Sequence, residues 1–361
     1  MRLELVKRPE HSVLMAVLSP LIALILTVFF VGIVFAILGK DPFHALYVYF
    51  ISPLTESWTL EELLVKASPL VMIGVGLAVC YTSNVWNIGA EGQFTAGALA
   101  GSILPVMFPE YANWTTLPLM LLMGAIGGAL YAGIPAVLKT RFGANEILTS
   151  LMLVYVAQLF LDWLVRGHWR DPEGYNFPES RVFSDAASLG TFGDGNLHYG
   201  IALAVVAVIA LAIVMSKTIK GFEIAVLGEA PRAGGFAGFS QKKMVIFAFM
   251  LSGALAGIAG IIEIAGPLTQ LRPSISPGYG FTAIIVAFLG RLNPVGILLA
   301  GLLLALSFLG GEAAQADELL KISSKITNVI QGMLLFFVLA CDTLILYRIR
   351  FVSGRAGAGS A

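Results

Sequence analysis

ASPLVMIGVGLAVCYTSNVWNIGAEGQFTAGALAGSILPVMF, residues 67–108, is apolar at both ends and polar in the middle. It is too long for a single hydrocarbon crossing, which takes about 20 residues, and the polar run 83–93 divides it. Two helices joined by a polar break are therefore predicted here. Outward from this stretch, apolar runs of spanning length recur at 13–38, 115–138, 146–166, 199–216, 243–266, 295–310 and 326–347, with a shorter one at 280–290. The reading is an all-α, polytopic transmembrane bundle of about ten helices. Residues 13–347 form the membrane domain, between a short N-terminal segment 1–12 and a flexible, low-complexity tail 348–361.

Composition agrees. The 361 residues are 58% hydrophobic and 12% charged, where soluble domains carry roughly a quarter charged residues. Run 13–38 is too long for a signal-peptide core and lacks a small-residue cleavage site, so it should remain as a membrane helix. The net charge of zero and the lack of a basic patch interleaved with aromatics argue against nucleic acid. Cys80 and Cys341 sit in separate apolar runs and read as small core residues. His11, His44, His168 and His198 lie scattered in polar flanks and read as solvated or interfacial rather than metal ligands.

With the N-terminus inside, fourteen of the 22 Lys and Arg residues fall on the cytoplasmic side, among them Lys139, Arg141, Lys217, Lys220, Arg232 and Arg291. The positive-inside rule then places both termini in the cytoplasm. The acidic loop 167–198 falls outside. Trp58, Trp114, Trp163 and Trp169 fall near the outer interface, as an aromatic belt would.

No phosphate-binding GxxxxGK[ST] loop, GxSxG elbow, HExxH helix or CxxC pair occurs. Polar residues at membrane depth carry more information, because burying them in lipid is costly. Asn84, Asn87, Glu91 and Gln93 interrupt the apolar stretch. Either they belong to a partly unwound segment lining a translocation path, or they form an ordinary turn with Glu91 near a helix N-terminus. Asn145 and Glu146 read as a helix cap. Glu263 stands four residues before Pro267, either at the external mouth of a path or reaching the interface. Gly97 and Gly101 form one close-packing face, and Ser252, Gly253, Gly257 and Gly260 another. The connection 217–242 mixes Glu223, Glu229 and Arg232 with small residues and aromatics, which suits a short helix docking on a soluble partner.

TIKGFEIAVLGEAPRAGGFAGFSQKK within that connection resembles the cytoplasmic loop of permease subunits of bacterial ABC importers for simple sugars and nucleosides. The family pattern falls on Thr218, Gly221, Phe222, Ala225, Val226, Gly228, Glu229, Pro231, Ala233, Gly234, Ala237, Gly238 and Phe239. Leu227 is inserted, Ala230 precedes the proline, and Gly234 stands where alanine is usual. NIGAEGQFTAGALAG (87–101), GYGFTAIIVAFLGRLNPVGI (278–297) and VIQGMLLFFVLACD (329–342) resemble the nucleoside branch, whose binding proteins are basic membrane lipoproteins.

The resemblance implies a multi-pass protein of the bacterial cytoplasmic membrane that is not itself an enzyme and has no cofactor of its own. Its partners would be two ATP-binding cassette subunits that bind the ATP, a second related permease in a heterodimer, and an extracytoplasmic substrate-binding protein. Gly221, Phe222, Gly228, Glu229, Pro231, Arg232, Ala233 and Gly238 would belong to the ATPase coupling loop. Nucleosides are the first expected cargo and a simple sugar such as ribose the second. The rival is a secondary transporter, which would place coupling carboxylates near the midplane. Here Asp162, Glu263 and Asp342 all lie toward helix ends.

Overall fold

The computed structural model describes the backbone of residues 2–7, 13–193 and 195–352, and side chains within 18–193 and 195–344. Expectations for residues 8–12, Asp194 and the tail beyond 352 lie outside these. The helices are α1 (Val13–Ile37), α2 (Pro42–Phe50), α3 (Ser57–Thr82), α4 (Ala90–Met107), α5 (Thr116–Phe142), α6 (Glu146–Arg166) and α7 (Gly200–Lys217). They continue with α8 (Ile219–Glu229), α9 (Pro231–Phe236), α10 (Gln241–Glu263), α11 (Tyr279–Leu289), α12 (Pro294–Ala316) and α13 (Ile326–Leu346). Eight of them, α1, α3, α5, α6, α7, α10, α12 and α13, are long and apolar enough to cross a membrane. The 18-residue α4 and the 11-residue α11 complete the ten expected. A ribbon of two short antiparallel strands, β1 (Arg2–Lys7) and β2 (Tyr347–Val352), is added to the helices, with Arg2 opposite Val352 and Lys7 opposite Tyr347.

The chain divides into two units, Pro53–Leu309 and Met1–Ser52 with Gly310–Ala361. In the latter, Val31 and Phe35 of α1, Ala45 and Tyr49 of α2, Ala314 and Ile330 form one buried cluster. The sequence reading missed α2. Its signal was Asp41-Pro42: the Asp41 carboxylate caps the Phe43 amide at 3.0 Å and proline occupies the first turn. His44 is not free but pairs with Asp317 at 3.3 Å.

The unit 53–309 is built around α3. Of its apolar window 83% is buried, against 61% for α10 and 28% for α5 and α6. The less buried helices show why. On α5, Leu122, Ile126, Leu130 and Ile134 are exposed, four apart, whereas Met120, Gly124, Gly128, Ala132 and Ala136 are buried, also four apart. One stripe suits lipid, and the other lets backbones touch. A Cβ on Gly128 would run into the Gly253 carbonyl of α10, and one on Gly97 of α4 into the Gly257 Cα of the same helix. The two GALAG segments, 97–101 and 253–257, thus meet where Gly97 faces Gly257, while Gly253 packs on α5. Without a hydrophobic drive between helices in lipid, such close approach supplies the dispersion contact that holds them.

Gly128→Leu should therefore lower the thermal stability of the detergent-solubilised protein by the equivalent of about 1–3 kcal/mol. Gly133→Ala on the same helix, where a Cβ meets nothing within 4 Å, should leave it unchanged or slightly raised. A scanning fluorimetry comparison of the two checks this.

Candidate functional site

Between α3 and α4 the backbone leaves the helix from Ser83 to Gly89, and Asn84 adopts the left-handed region at φ 55°. The segment is not a solvated turn. Asn87 is fully buried, and its side chain exchanges two hydrogen bonds with Gln93: Asn87 Nδ2 donates to Gln93 Oε1 and Gln93 Nε2 donates to Asn87 Oδ1, each at 2.9 Å. Asn87 Nδ2 also donates to Ser252 Oγ at 3.1 Å, and its Oδ1 accepts from the Gly89 amide at 3.0 Å. The Asn87 carbonyl accepts from the Tyr81 hydroxyl at 3.1 Å, and the Ile88 amide donates to Ser150 Oγ at 3.3 Å. Ser252 is the midpoint of α10, so the knot lies about 16 Å from either end of that helix at 1.5 Å per residue. Val85 packs on Ala132, Ala136, Val245 and Phe249 beside it.

Glu91, in the first turn of α4, is buried as well. Its Oε2 accepts from the Gly280 amide at 2.6 Å, with the Ser276 hydroxyl in hydrogen-bonding reach of the carboxylate. Ser276 Oγ in turn accepts from the Gly278 and Tyr279 amides at 3.0 and 2.9 Å. The N-termini of α4 and α11 thus converge on one carboxylate. Helix N-termini carry partial positive charge and unpaired amides, and Glu91 answers both. Transporters built on broken helices aim such termini at an anionic substrate; in this chain its own side chain occupies the place.

The structure brings Asn87 and Gln93 together, sets Glu91 against α11, and leaves Asn84 exposed. Glu263 lies apart from them, at the last residue of α10. It is buried rather than interfacial, with the Tyr279 hydroxyl in hydrogen-bonding reach and Lys66 and Glu62 of α3 nearby. The helix continues past it as a π-helical turn, Ile264–Leu268, that contains Pro267. Sequence reasoning missed Ser150, Ser276 and Tyr81, whose single hydroxyls give no pattern along the chain.

It also misplaced His198. The loop 167–198 is tied down: the Ser180, Phe183 and Leu189 amides donate to the Leu271, Thr269 and Ala265 carbonyls at 2.9, 2.8 and 2.6 Å. Its end folds back as a turn in which Phe192 pairs with Leu197 and Tyr199 with Gly190. His198 is consequently 3% exposed rather than solvated. Burial pushes its imidazole below the usual range, with the Glu62 carboxylate drawing it back up.

Residues 219–236 form two short helices, α8 and α9. Thr218 Oγ1 caps α8 through the Gly221 amide at 3.2 Å, and Phe222 meets Phe239 edge to face at 6.2 Å. A Cβ on Gly228 would run into the Thr82 carbonyl at the end of α3, so α8 lies directly against the start of the polar break. Pro231 opens α9, and Gly238 closes it at φ 86°, the left-handed conformation that glycine takes without strain. Leu227 is buried, and Gly234 provides the room for it, so the inserted leucine and the unusual glycine compensate each other. Glu229, Arg232 and Ala233 are exposed, and Phe236 is 95% exposed. Asn145 caps α6 through the Ile147 and Leu148 amides at 2.9 and 3.3 Å, and Glu146 pairs with Lys139, matching the reading as a cap.

Asn87→Leu should destabilise the protein by about 1–3 kcal/mol, because it strands the Gln93 amide. Adding Gln93→Leu should restore part of that loss. A double-mutant cycle on thermal stability, with a coupling above about 0.5 kcal/mol, is the expected result, whereas additive losses would dissolve the knot into independent contacts.

Comparison with known proteins places this geometry. Residues 59–339 match the family described as branched-chain amino acid transport system / permease component. The chain is 37% identical to the glucose ABC transporter permease protein TsgB13 of Haloferax volcanii, over 99% of this chain and 96% of that one. It is 29% identical to the nucleoside ABC transporter permease protein NupB of Lactococcus lactis, over 89% and 90% of the two chains. With the guanosine ABC transporter permease protein NupP of Bacillus subtilis the identity is 27%, over 97% and 98%. No solved structure matches. These relatives are transport subunits rather than enzymes, and with its eight apolar spans this chain is a multi-pass membrane protein that belongs to the branched-chain amino acid transport system / permease component family.

Proposed function

We propose that this chain is the path-forming permease subunit of an ATP-driven importer whose cargo is a neutral hydroxylated ring. A simple sugar is the first cargo and a nucleoside the second. The glucose permease's 37% identity, against 29% and 27% for the two nucleoside permeases, orders them so. Two ATP-binding cassette subunits would bind the nucleotide, a second related permease would complete the path, and an extracytoplasmic binding protein would deliver the cargo.

The observation that carries this reading is α9. It is a short helix set, with α8, between two spanning helices, α7 and α10; it presents Arg232, Ala233 and Phe236 to solvent, and Glu229 is exposed beside it at the end of α8. A 95% exposed phenylalanine beside opposite charges suits a groove on a soluble partner. Motion there has a short route inward. α9 packs on α8 through Gly234 and Leu227, α8 rests on Thr82 through Gly228, and Thr82 opens the segment that ends in the Asn87–Gln93 knot. Closure of the ATPases would pull α9 and bias the unwound segment between two arrangements, and this is how a ligand shifts a two-state element. On this reading Asn87 and Gln93 brace the path, Asn84 and Glu263 stand at its two ends, and Glu91 holds α4 and α11 together.

Glu229→Arg should cut ATP-dependent uptake in proteoliposomes at least roughly tenfold, while the protein still inserts and keeps its thermal stability. Undiminished uptake would take Glu229 out of the coupling surface. For cargo, labelled glucose and labelled guanosine are offered to the reconstituted transporter, with a Walker-motif knockout of the ATPase alongside. Uptake of either probe that disappears with the knockout supports the importer; uptake that ignores the knockout promotes a secondary transporter.

A further inference from the structure

Apart from the polar knot, a cavity of about 380 Å³ opens between the start of α3, the folded end of the loop 167–198 and the turn after α10. Glu62, Thr191, Asn196, His198 and Gly266 line it. That volume lies within the roughly 300–1,000 Å³ of small-molecule sites. The walls are fixed. Glu61 Oε2 accepts from the Asn196 amide at 3.0 Å, Thr191 and His198 face each other across the turn, and the loop is bonded along 265–271.

His198 is the telling group. Its Nδ1 accepts from the Gly200 amide at 3.0 Å, so in the neutral ring the proton sits on Nε2. Nε2 is buried and has no hydrogen-bond partner. A buried donor left unmet is rare and costly. Gly266 lies close against this edge of the ring: a Cβ there would stand 2.8 Å from His198 Cδ2 and 3.0 Å from Nε2, closer than a side chain fits. The other polar walls complement it. Glu62 offers carboxylate oxygens, one of them paired with Lys66 at 3.4 Å. The Thr191 hydroxyl, which donates to the Gly193 carbonyl at 3.1 Å, can accept, and the Asn196 side chain can donate and accept. A cavity with one fixed N–H donor, a carboxylate and a hydroxyl acceptor and one amide that both donates and accepts matches a ring carrying several hydroxyls.

We propose that this cavity is a binding subsite for the cargo's hydroxylated ring, with His198 Nε2–H donating to a ring or hydroxyl oxygen and Glu62 accepting from a neighbouring hydroxyl. The assignment rests on the importer reading and names the chemistry that a hexose and the ribose of a nucleoside share.

The test uses the assembled transporter in proteoliposomes, with labelled glucose and labelled guanosine as probes. His198→Phe should raise the KM for the imported probe about tenfold, the worth of one hydrogen bond left unmet. His198→Gln, which returns an N–H donor, should bring KM back to within about threefold of the wild-type value. Gly266→Ala keeps the imidazole in the chain but crowds its Nε2 edge, and it should raise KM as His198→Phe does. This variant decides the matter if the imidazole proves necessary for insertion. A wild-type KM in either inserted variant would overturn the subsite while leaving the importer standing. Wild-type protein that takes up neither probe with ATP would remove the importer, and the subsite with it. A rise for one probe alone would identify which ring the cavity takes.

Discussion

In a medium without water, a polar group must find its partner inside the protein, and this requirement governs the unit 53–309. Helices meet it automatically along their length but not where they stop. After α3 the chain is not helical over residues 83–89, yet it re-enters the bundle as far as Ser252, the midpoint of α10, and so brings both backbone and side-chain groups into the interior. Tyr81, Ser150 and the Asn87 side chain take up the Asn87 carbonyl and the Ile88 and Gly89 amides that the missing turn leaves open, and Gln93 and Ser252 in turn partner the Asn87 side chain. Leaving any one open would cost about 1–3 kcal/mol. The break and its partners therefore stand or fall together.

The second constraint is distance. Polar partners on α4 and α10 can meet only if those backbones approach closely. The glycines of α4, α5 and α10 make this possible, since a Cβ at 97, 128, 253 or 257 would occupy the neighbour's main chain. The same glycines leave the large apolar side chains of α5 to point outward. Packing and polar satisfaction are thus one arrangement seen at two scales.

The two ends of this unit differ in character. At one end the loop 167–198 is hydrogen-bonded along 265–271 and encloses polar space. At the other, α9 stands exposed with its side chains unpacked. A rigid, polar-lined end and a projecting, partner-seeking end are what a subunit that receives a small polar cargo on one side and mechanical work on the other would need. The polar break lies between them, in direct contact with α8 through Thr82.

Much of this was legible along the chain. Hydropathy located the eight apolar helices of spanning length, the split of 67–108 and the short 280–290 piece, because the need to match a lipid core is a local property of composition. The Asn145 cap and the small-residue faces were also visible, being set by residues three or four apart on a single helix. The short α2 was not found, since its nine residues fall far short of a spanning run, although Asp41-Pro42 marked its start. The character of the polar residues could not be read at all. Asn87 and Gln93 looked free to line a path, and they prove bonded to each other and to a serine 165 residues away from Asn87. Glu91 meets an amide 189 residues on. His198 looked solvated until its loop was seen bonded to the segment after α10. By itself the sequence determined that this is a polytopic helical membrane protein and which helix faces are small enough to touch. Only the tertiary structure decided which polar groups are satisfied and which, like His198 Nε2, are left open, because a hydrogen bond depends on partners brought together by folding rather than by neighbourhood in the chain.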